Sequence, residues 1–532
     1  MSTVREARPV APPGDAERSG PVPKWLMAAA FIAIAMGVVL RFITRSELWL
    51  DEALSVNIAA LPVGDISDAL RQDGAPPLYY VLLHYWMEVF GDGDFAVRAL
   101  SGMFSVATLP AVYFAGRRLG GRTIDDATHR LVAWIAVTLV ATSPFAITYA
   151  TEARMYALEM FFVVLGFLAL CRALERPTLI RLGCVAVVTS LLLYTQYWSN
   201  YLVAVVGLGL VVYAWQSTGP PRRAALGCII AIAAGCITFL PWLDTFLYQA
   251  SHTGTPWGES VLPPTAFSMA VEDFGGGDHW ESIVVQLPLV LLAVLAVVGM
   301  AIDRFRIQVD LRTRPGVRLV ALCAVLTLGL GATAAWLAPD GTFEGRYASV
   351  VFPLFMLMVA FGFLCLTDTR IKLGLLAAIA VLGLISTVQR NTLDERTQAT
   401  EIAASITADA EPGDVVVYCP DQLGPAVSRL LDGEDLQQIT FPDGGSPEFV
   451  DWVDYLERNQ AADPNVVADE AIELAGPDGT VWLVSAAHYR GLEGKCEALS
   501  AALAAQRPTV EQVVLPNDEF FEFEGLIRYL PG

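Results

Sequence analysis

Eleven apolar stretches long enough to cross a bilayer recur between residues 25 and 388, and they leave a polytopic helical membrane body as the fold of this 532-residue chain. They cover 25–43, 95–116, 131–149, 155–174, 180–197, 199–215, 224–246, 283–302, 317–338, 347–367 and 371–388. The first, Trp25 to Ile43, spans about 28 Å as a helix at ~1.5 Å per residue. No small-residue cleavage site follows Ile43, so the stretch reads as an uncleaved anchor. Only 17% of the residues are charged and the mean hydropathy is +0.50, whereas soluble proteins carry about 25% charged residues. A wholly soluble, disordered or nucleic-acid-binding protein is excluded.

Charge then divides the chain. Residues 389–532 hold 27 Asp and Glu against 8 Lys and Arg, and so carry most of the net charge of −21. Three regions follow: a polar tail over 1–24, a membrane body over 25–388 and an acidic, water-facing domain over 389–532. With the N-terminus in the cytosol and the sides alternating, the cytosolic turns collect Arg117, Arg118, Arg122 and Arg130; then Arg172, Arg176 and Arg181; then Arg222 and Arg223; then Arg304, Arg306, Arg312, Arg314 and Arg318; then Arg370 and Lys372. An odd number of spans puts the acidic domain on the extracytoplasmic face of a plasma membrane. That domain alternates strand-like runs (414–418, 480–485, 511–515) with helix-like ones (399–408, 424–431, 496–505), which predicts a small α/β domain. Cys419 and Cys496 lie in it and are free to pair where the compartment is oxidising, while the other six cysteines sit in apolar segments. The apolar run Pro77 to Phe90 is too short to cross and reads as an interfacial helix, and 256–278 reads as a long outer loop made flexible by Gly275, Gly276 and Gly277.

Several outward turns carry more charge than packing requires. Asp51 and Glu52 stand just past the first span, where carboxylates are costly unless used or paired. Taken alone, a solvated helix start accounts for them. Tyr79 and Tyr80 follow a double proline and suit an aromatic belt facing the bilayer interface, and His84 suits plain packing. Glu152 and Arg154 sit between two spans, where mutual neutralisation is the plain reading, and Arg346, beside Tyr347, sits at the mouth of another, where snorkelling is. Together, however, acids and arginines recur on one side of the membrane. Arginine suits phosphate because it is planar, permanently charged and bidentate, and a carboxylate can take the proton of an attacking hydroxyl.

At these residues the chain resembles the GT-C superfamily of integral-membrane glycosyltransferases, in the branch related to protein O-mannosyltransferases and the aminoarabinose transferase of lipid A. The matching pieces are LWLDEA (48–53), PPLYYVLLHYW (76–86), FAVRALSG (95–102), GRRLGG (116–121), EARMYAL (152–158) and GRY (345–347). The resemblance implies a GT-C-like body with interfacial helices and the appended α/β domain. It also implies a polyprenyl-phosphate sugar donor, inverting transfer, and a glycan, lipid or protein acceptor. In the family pattern Asp51 is the general base and Glu52 orients the acceptor or the base. Arg154 and Arg346 hold the lipid phosphate, and Glu152, Tyr79 and Tyr347 line the site. Arg98 matches the family too.

Where many relatives have His before the double proline and Gln before Glu-Ala-Arg, this chain has Ala75 and Thr151, so no metal and no other cofactor is expected. The acidic, Ala-rich tail resembles actinobacterial proteins, which favours mannosyl or arabinosyl transfer into the cell envelope. Two alternatives remain at this stage: a transporter or flippase of lipid-linked sugars, and a silent scaffold acting through its acidic tail. Transporters often carry paired repeats, and no repeat is visible here.

Overall fold

The computed structural model describes residues 24–532 apart from 122–123, 256–257, 278–279, 304–305, 311–314, 339–340, 394, 487–488 and 490. The tail before Lys24, Arg122, Arg304, Arg312, Arg314 and the end of the expected loop at Asp278 lie outside the described residues. The helical body contains α1 (Lys24–Leu40), α2 (Leu50–Ala60), α3 (Val63–Asp73), α4 (Leu78–Phe90), α5 (Asp94–Gly116), α6 (Asp126–Ala141), α7 (Pro144–Thr148) and α8 (Tyr156–Glu175). It continues with α9 (Leu179–Thr195), α10 (Ser199–Gln216), α11 (Gly219–Ile237), α12 (Leu243–His252), α13 (Pro263–Gly275), α14 (Trp280–Val298), α15 (Pro315–Leu337), α16 (Phe352–Gly362) and α17 (Thr369–Val388). A two-stranded ribbon, β1 (Gly299–Ala301) with β2 (Ile307–Val309), joins α14 to α15.

Each of the eleven apolar stretches holds a helix, and among the described residues six helices are long and apolar enough to cross a membrane, with four shorter apolar ones beside them. Side chains such as Val187, Leu208, Ile230, Leu287 and Leu326 stand exposed around the bundle, the apolar outer surface a multi-pass membrane protein needs. Inside, glycines let helices touch: a Cβ on Gly37 would lie 1.9 Å from the Ala141 carbonyl oxygen, and one on Gly362 would lie 2.0 Å from that of Leu292.

Three local expectations are corrected. The stretch 131–149 is two helices, because Ser143 caps a new one and Pro144 starts it. The expected outer loop contains α13, which Pro263 and Pro264 initiate and Gly276, at φ 115°, ends. Finally, α4 does not turn its first tyrosines to a bilayer interface: Tyr79 and Tyr80 are buried against α2 and α5, and Tyr85 and Val89 take the exposed side.

The C-terminal domain is built on a five-stranded sheet in the order β4 (Gln437–Thr440), β3 (Val415–Cys419), β5 (Val481–Ser485), β7 (Gly525–Tyr529), β6 (Val510–Val514). The first three strands are parallel and β7 runs antiparallel to both its neighbours. Alternation along β3 explains the layers. Val415, Val417 and Cys419 face the helices α21 (Pro464–Ala475) and α22 (Lys495–Gln506), while Val416 and Tyr418 face α18 (Ala399–Asp409) and α19 (Gly424–Leu430). Cys419 and Cys496 are joined by a disulfide between β3 and α22. The domain docks on α2 through α19, and Trp452 and Tyr455, at the start of α20 (Tyr455–Ala461), enter the core of the helical body. The Trp452 amide donates to the Gln72 carbonyl at 3.2 Å and the Asp454 amide to that of His252 at 2.8 Å.

Candidate active site

The site begins with the first turn of α2, where two adjacent acids point in different directions. Asp51 reaches outward, and its Oδ2 accepts from Arg346 Nη1 at 2.9 Å and lies 3.9 Å from Arg154 Nη2. Glu52 turns inward and is fully buried, accepting from Arg98 Nε at 2.8 Å, from Arg98 Nη2 at 2.7 Å and from the Ala153 amide at 2.8 Å. Arg98 also donates to the carbonyls of Ser46 and Glu47. One buried ion pair thus ties α2, α5 and the turn before α8 together. Glu52 is not on the cavity wall, so it cannot orient an acceptor by contact.

Arg154 is held from two sides. Its Nη1 donates to Ser55 Oγ at 2.9 Å, to the Asp51 carbonyl at 3.2 Å and to the Tyr80 hydroxyl at 3.4 Å. Its carbonyl accepts from Ser101 Oγ, which shares a 3.0 Å hydrogen bond with the Tyr79 hydroxyl. Tyr79 therefore braces Arg154 from behind and does not line the site. Arg346 lies in a short 3-10 turn, Gly345–Val350, 5.8 Å from the Trp49 ring and 5.9 Å from that of Tyr347. Tyr347 in turn stacks on Trp198 at 5.5 Å. Burial works against charge on both arginines, but the surrounding acids and tyrosines, Asp51 foremost for Arg346, hold both well above the ordinary arginine value. The Nε of each is buried with no hydrogen-bond partner among the described residues. Two desolvated cations with unused donors are a poor structural arrangement and a good oxyanion clamp.

Asp51, Arg154, Arg346, Tyr347 and Trp198 line a cavity of about 490 Å3 between the helical body and the C-terminal domain, which contributes Trp452 and Asp454 to its wall. A second carboxyl, Asp73 at the end of α3, also lines it and accepts from the Tyr80 hydroxyl at 2.9 Å. Burial raises the Asp73 carboxyl above its usual range. Asp73 escaped the sequence reading because nothing in its polar surroundings sets it apart. Glu152, expected at the site, is turned away and takes a 2.5 Å hydrogen bond from Arg396, so it does not neutralise Arg154. His84 packs with Nδ1 2.7 Å from the Ala59 carbonyl. Among the described residues no group of three His, Cys, Asp or Glu is gathered as metal ligands.

No family model matches the chain, and no curated protein matches it in sequence. Its shape is nevertheless similar to solved structures. ArnT from Cupriavidus metallidurans, in the apo state, aligns with a TM-score of 0.57 at 10% identity over 96% of this chain and 99% of that one. The same protein bound to undecaprenyl phosphate aligns at 0.55 and 11% identity, over 96% and 98%. This chain has the fold of ArnT. An oligosaccharyltransferase from Archaeoglobus fulgidus, tethered with an acceptor peptide, aligns at 0.44 and 11% identity over 90% of this chain and 72% of that one. The alignment with ArnT covers 96% of this chain, too much to leave out the C-terminal domain, so the likeness of fold takes in both walls of the cavity.

Proposed function

We propose that this protein is an inverting glycosyltransferase that moves a sugar, mannose or arabinose, from a polyprenyl-phosphate donor to a glycan, lipid or protein acceptor of the cell envelope. The observation that carries the reading is Asp51 on a cavity wall beside two arginines, 12% and 15% exposed, whose Nε donors have no hydrogen-bond partner among the described residues. The positive-inside pattern of the turns supports an extracytoplasmic position for this cavity, next to the bilayer that would carry the donor. The undecaprenyl phosphate bound by ArnT, a protein of the same fold, supports a lipid phosphate as the donor's leaving group.

The chemistry follows from charge. A phosphate drawn between Arg154 and Arg346 shares the guanidiniums now facing Asp51, which leaves the Asp51 oxygens free to accept from an acceptor hydroxyl. That hydroxyl gives its proton to Asp51 as its oxygen bonds to the anomeric carbon from the side opposite the phosphate. The bond from the anomeric carbon to the phosphate oxygen breaks, and the electron pair leaves on the lipid phosphate. No acid is needed, because the two arginines stabilise the charge that develops.

Replacing Asp51 with Asn tests the assignment. Transfer from a labelled polyprenyl-phospho-sugar is expected to fall about 100- to 10,000-fold, the range of a lost general base, while binding of the lipid persists. Unchanged transfer sinks the base. Wild-type protein that moves labelled lipid across vesicles without breaking its sugar bond would favour a flippase.

A further inference from the structure

The first turn of α2 carries Asp51, yet the helix has no cap of its own: Trp49, at the N-cap position, supplies no side-chain acceptor. The acceptor comes from the far end of the chain. Glu522 is buried and takes the Leu50 amide at 3.2 Å on one carboxylate oxygen and 3.4 Å on the other. Phe521 meets Trp49 edge-to-face at 5.5 Å. Glu522 is itself fixed to the strand-like segment leading out of the helical body, with its amide on the Arg396 carbonyl at 2.8 Å and its carbonyl on the Gln398 amide at 3.0 Å. The same segment grips the loop before α2 and the turn before α8, through the Arg396 amide on Ser46 Oγ at 3.0 Å and the Arg396 guanidinium on Glu152.

We infer that Glu522 is a positioning residue for the reaction, a carboxyl cap delivered by the C-terminal domain that fixes the α2 turn bearing Asp51 in its productive orientation. The physical grounds are general. A helix N-terminus leaves its first amides unsatisfied and carries partial positive charge, so a carboxylate there is both acceptor and counter-charge. Holding that turn matters because a displacement of about 1 Å at a reacting group can cost ~100-fold in rate. Glu522 does not line the cavity, so it acts through α2 and not on a substrate. The C-terminal domain is then part of the catalytic apparatus.

The inference rests on the glycosyltransferase reading, and its test separates the two. In the full-length protein, Glu522→Gln keeps the volume but removes the charge, and Glu522→Ala removes the cap. With labelled polyprenyl-phospho-sugar, kcat is expected to fall several-fold in the first and about 10- to 100-fold in the second, with donor Kd and acceptor KM unchanged. Hydrogen exchange of the segment 48–55 is expected to quicken in the same order. Either variant, if folded, overturns the inference by keeping wild-type kcat, or by losing only donor binding. Should the wild-type protein show no transfer at all, the functional reading fails, and exchange at 48–55 still decides whether Glu522 holds the turn: an unchanged rate overturns the cap.

Discussion

Two neighbouring carboxylates in one helical turn end in unlike surroundings, and that divergence gives the site its direction. Asp51 keeps its oxygens at the cavity, whereas Glu52 is consumed by Arg98 and a backbone amide. Adjacent residues on a helix are about 100° apart, so a pair at its start serves two masters. The sequence showed that acids and arginines gather on one side, but not which of them face the same hollow. Tyr79 and Glu152 belong to the quoted motifs yet support the site from behind, because their partners, Ser101 and Arg396, lie 22 and 244 residues away. Trp198 and Asp73 reach the cavity from segments with no motif, and only packing could reveal them. Arg346 offers the sharpest test of the clamp. Replacement by Lys keeps a charge but loses the planar fork and the guanidinium's cation–π contacts with the Trp49 and Tyr347 rings. Transfer is expected to fall by about 100-fold, as when one donor to a developing oxyanion is removed. Wild-type kcat in Arg346→Lys would leave the phosphate without its proposed clamp.

At the scale of elements, hydropathy was enough to place every long helix, because a span must be apolar over its whole length. The breaks were harder to see. Pro144 and Pro263 open new helices inside stretches that read as one span and one loop, since a proline at a first turn and a proline in a loop look alike without the cap beside them. In the C-terminal domain β3, β5 and β6 announced themselves by apolar or β-branched runs, while β4, with Gln437 and Gln438, and the edge-covered β7 did not. What fixes α2 against α5 is the Glu52–Arg98 pair, with side chains 0% and 7% exposed. Breaking a buried pair strands a charge away from water. Arg98→Ala is expected to cost about 3–5 kcal/mol, whereas Arg98→Ala with Glu52→Gln recovers a large part of that. Chemical unfolding of both variants in detergent micelles measures the difference, and equal stability in the two would contradict the pairing argument.

For the molecule as a whole, the acidic domain carries a pH dependence that its composition alone does not reveal. Asp421, Glu522 and Glu524 are buried carboxyls of that domain, and burial is the first cause of each shift. Asp421, which accepts from the Tyr455 hydroxyl at 2.5 Å, is pushed up to about 7, as is Glu522, and Glu524 is raised well above its usual value. Neither Glu524 oxygen has a hydrogen-bond partner among the described residues. A carboxyl that titrates higher in the folded than in the unfolded chain binds more protons when folded. Its contribution is therefore intact below the ordinary carboxylate range and drains away as pH climbs through the folded value. The melting temperature of the full-length protein in micelles is expected to drop between about pH 5 and pH 8, opposite to the rise that ion-paired carboxylates produce. Glu524→Gln removes the ionisation without changing shape. It is expected to match the wild type near pH 5 and to melt higher near pH 8, because the amide never has to bear a charge away from water. A variant that melts lower than the wild type at both pH values would mean that the Glu524 carboxylate is paired in the folded protein, and the drop with pH would then need another source.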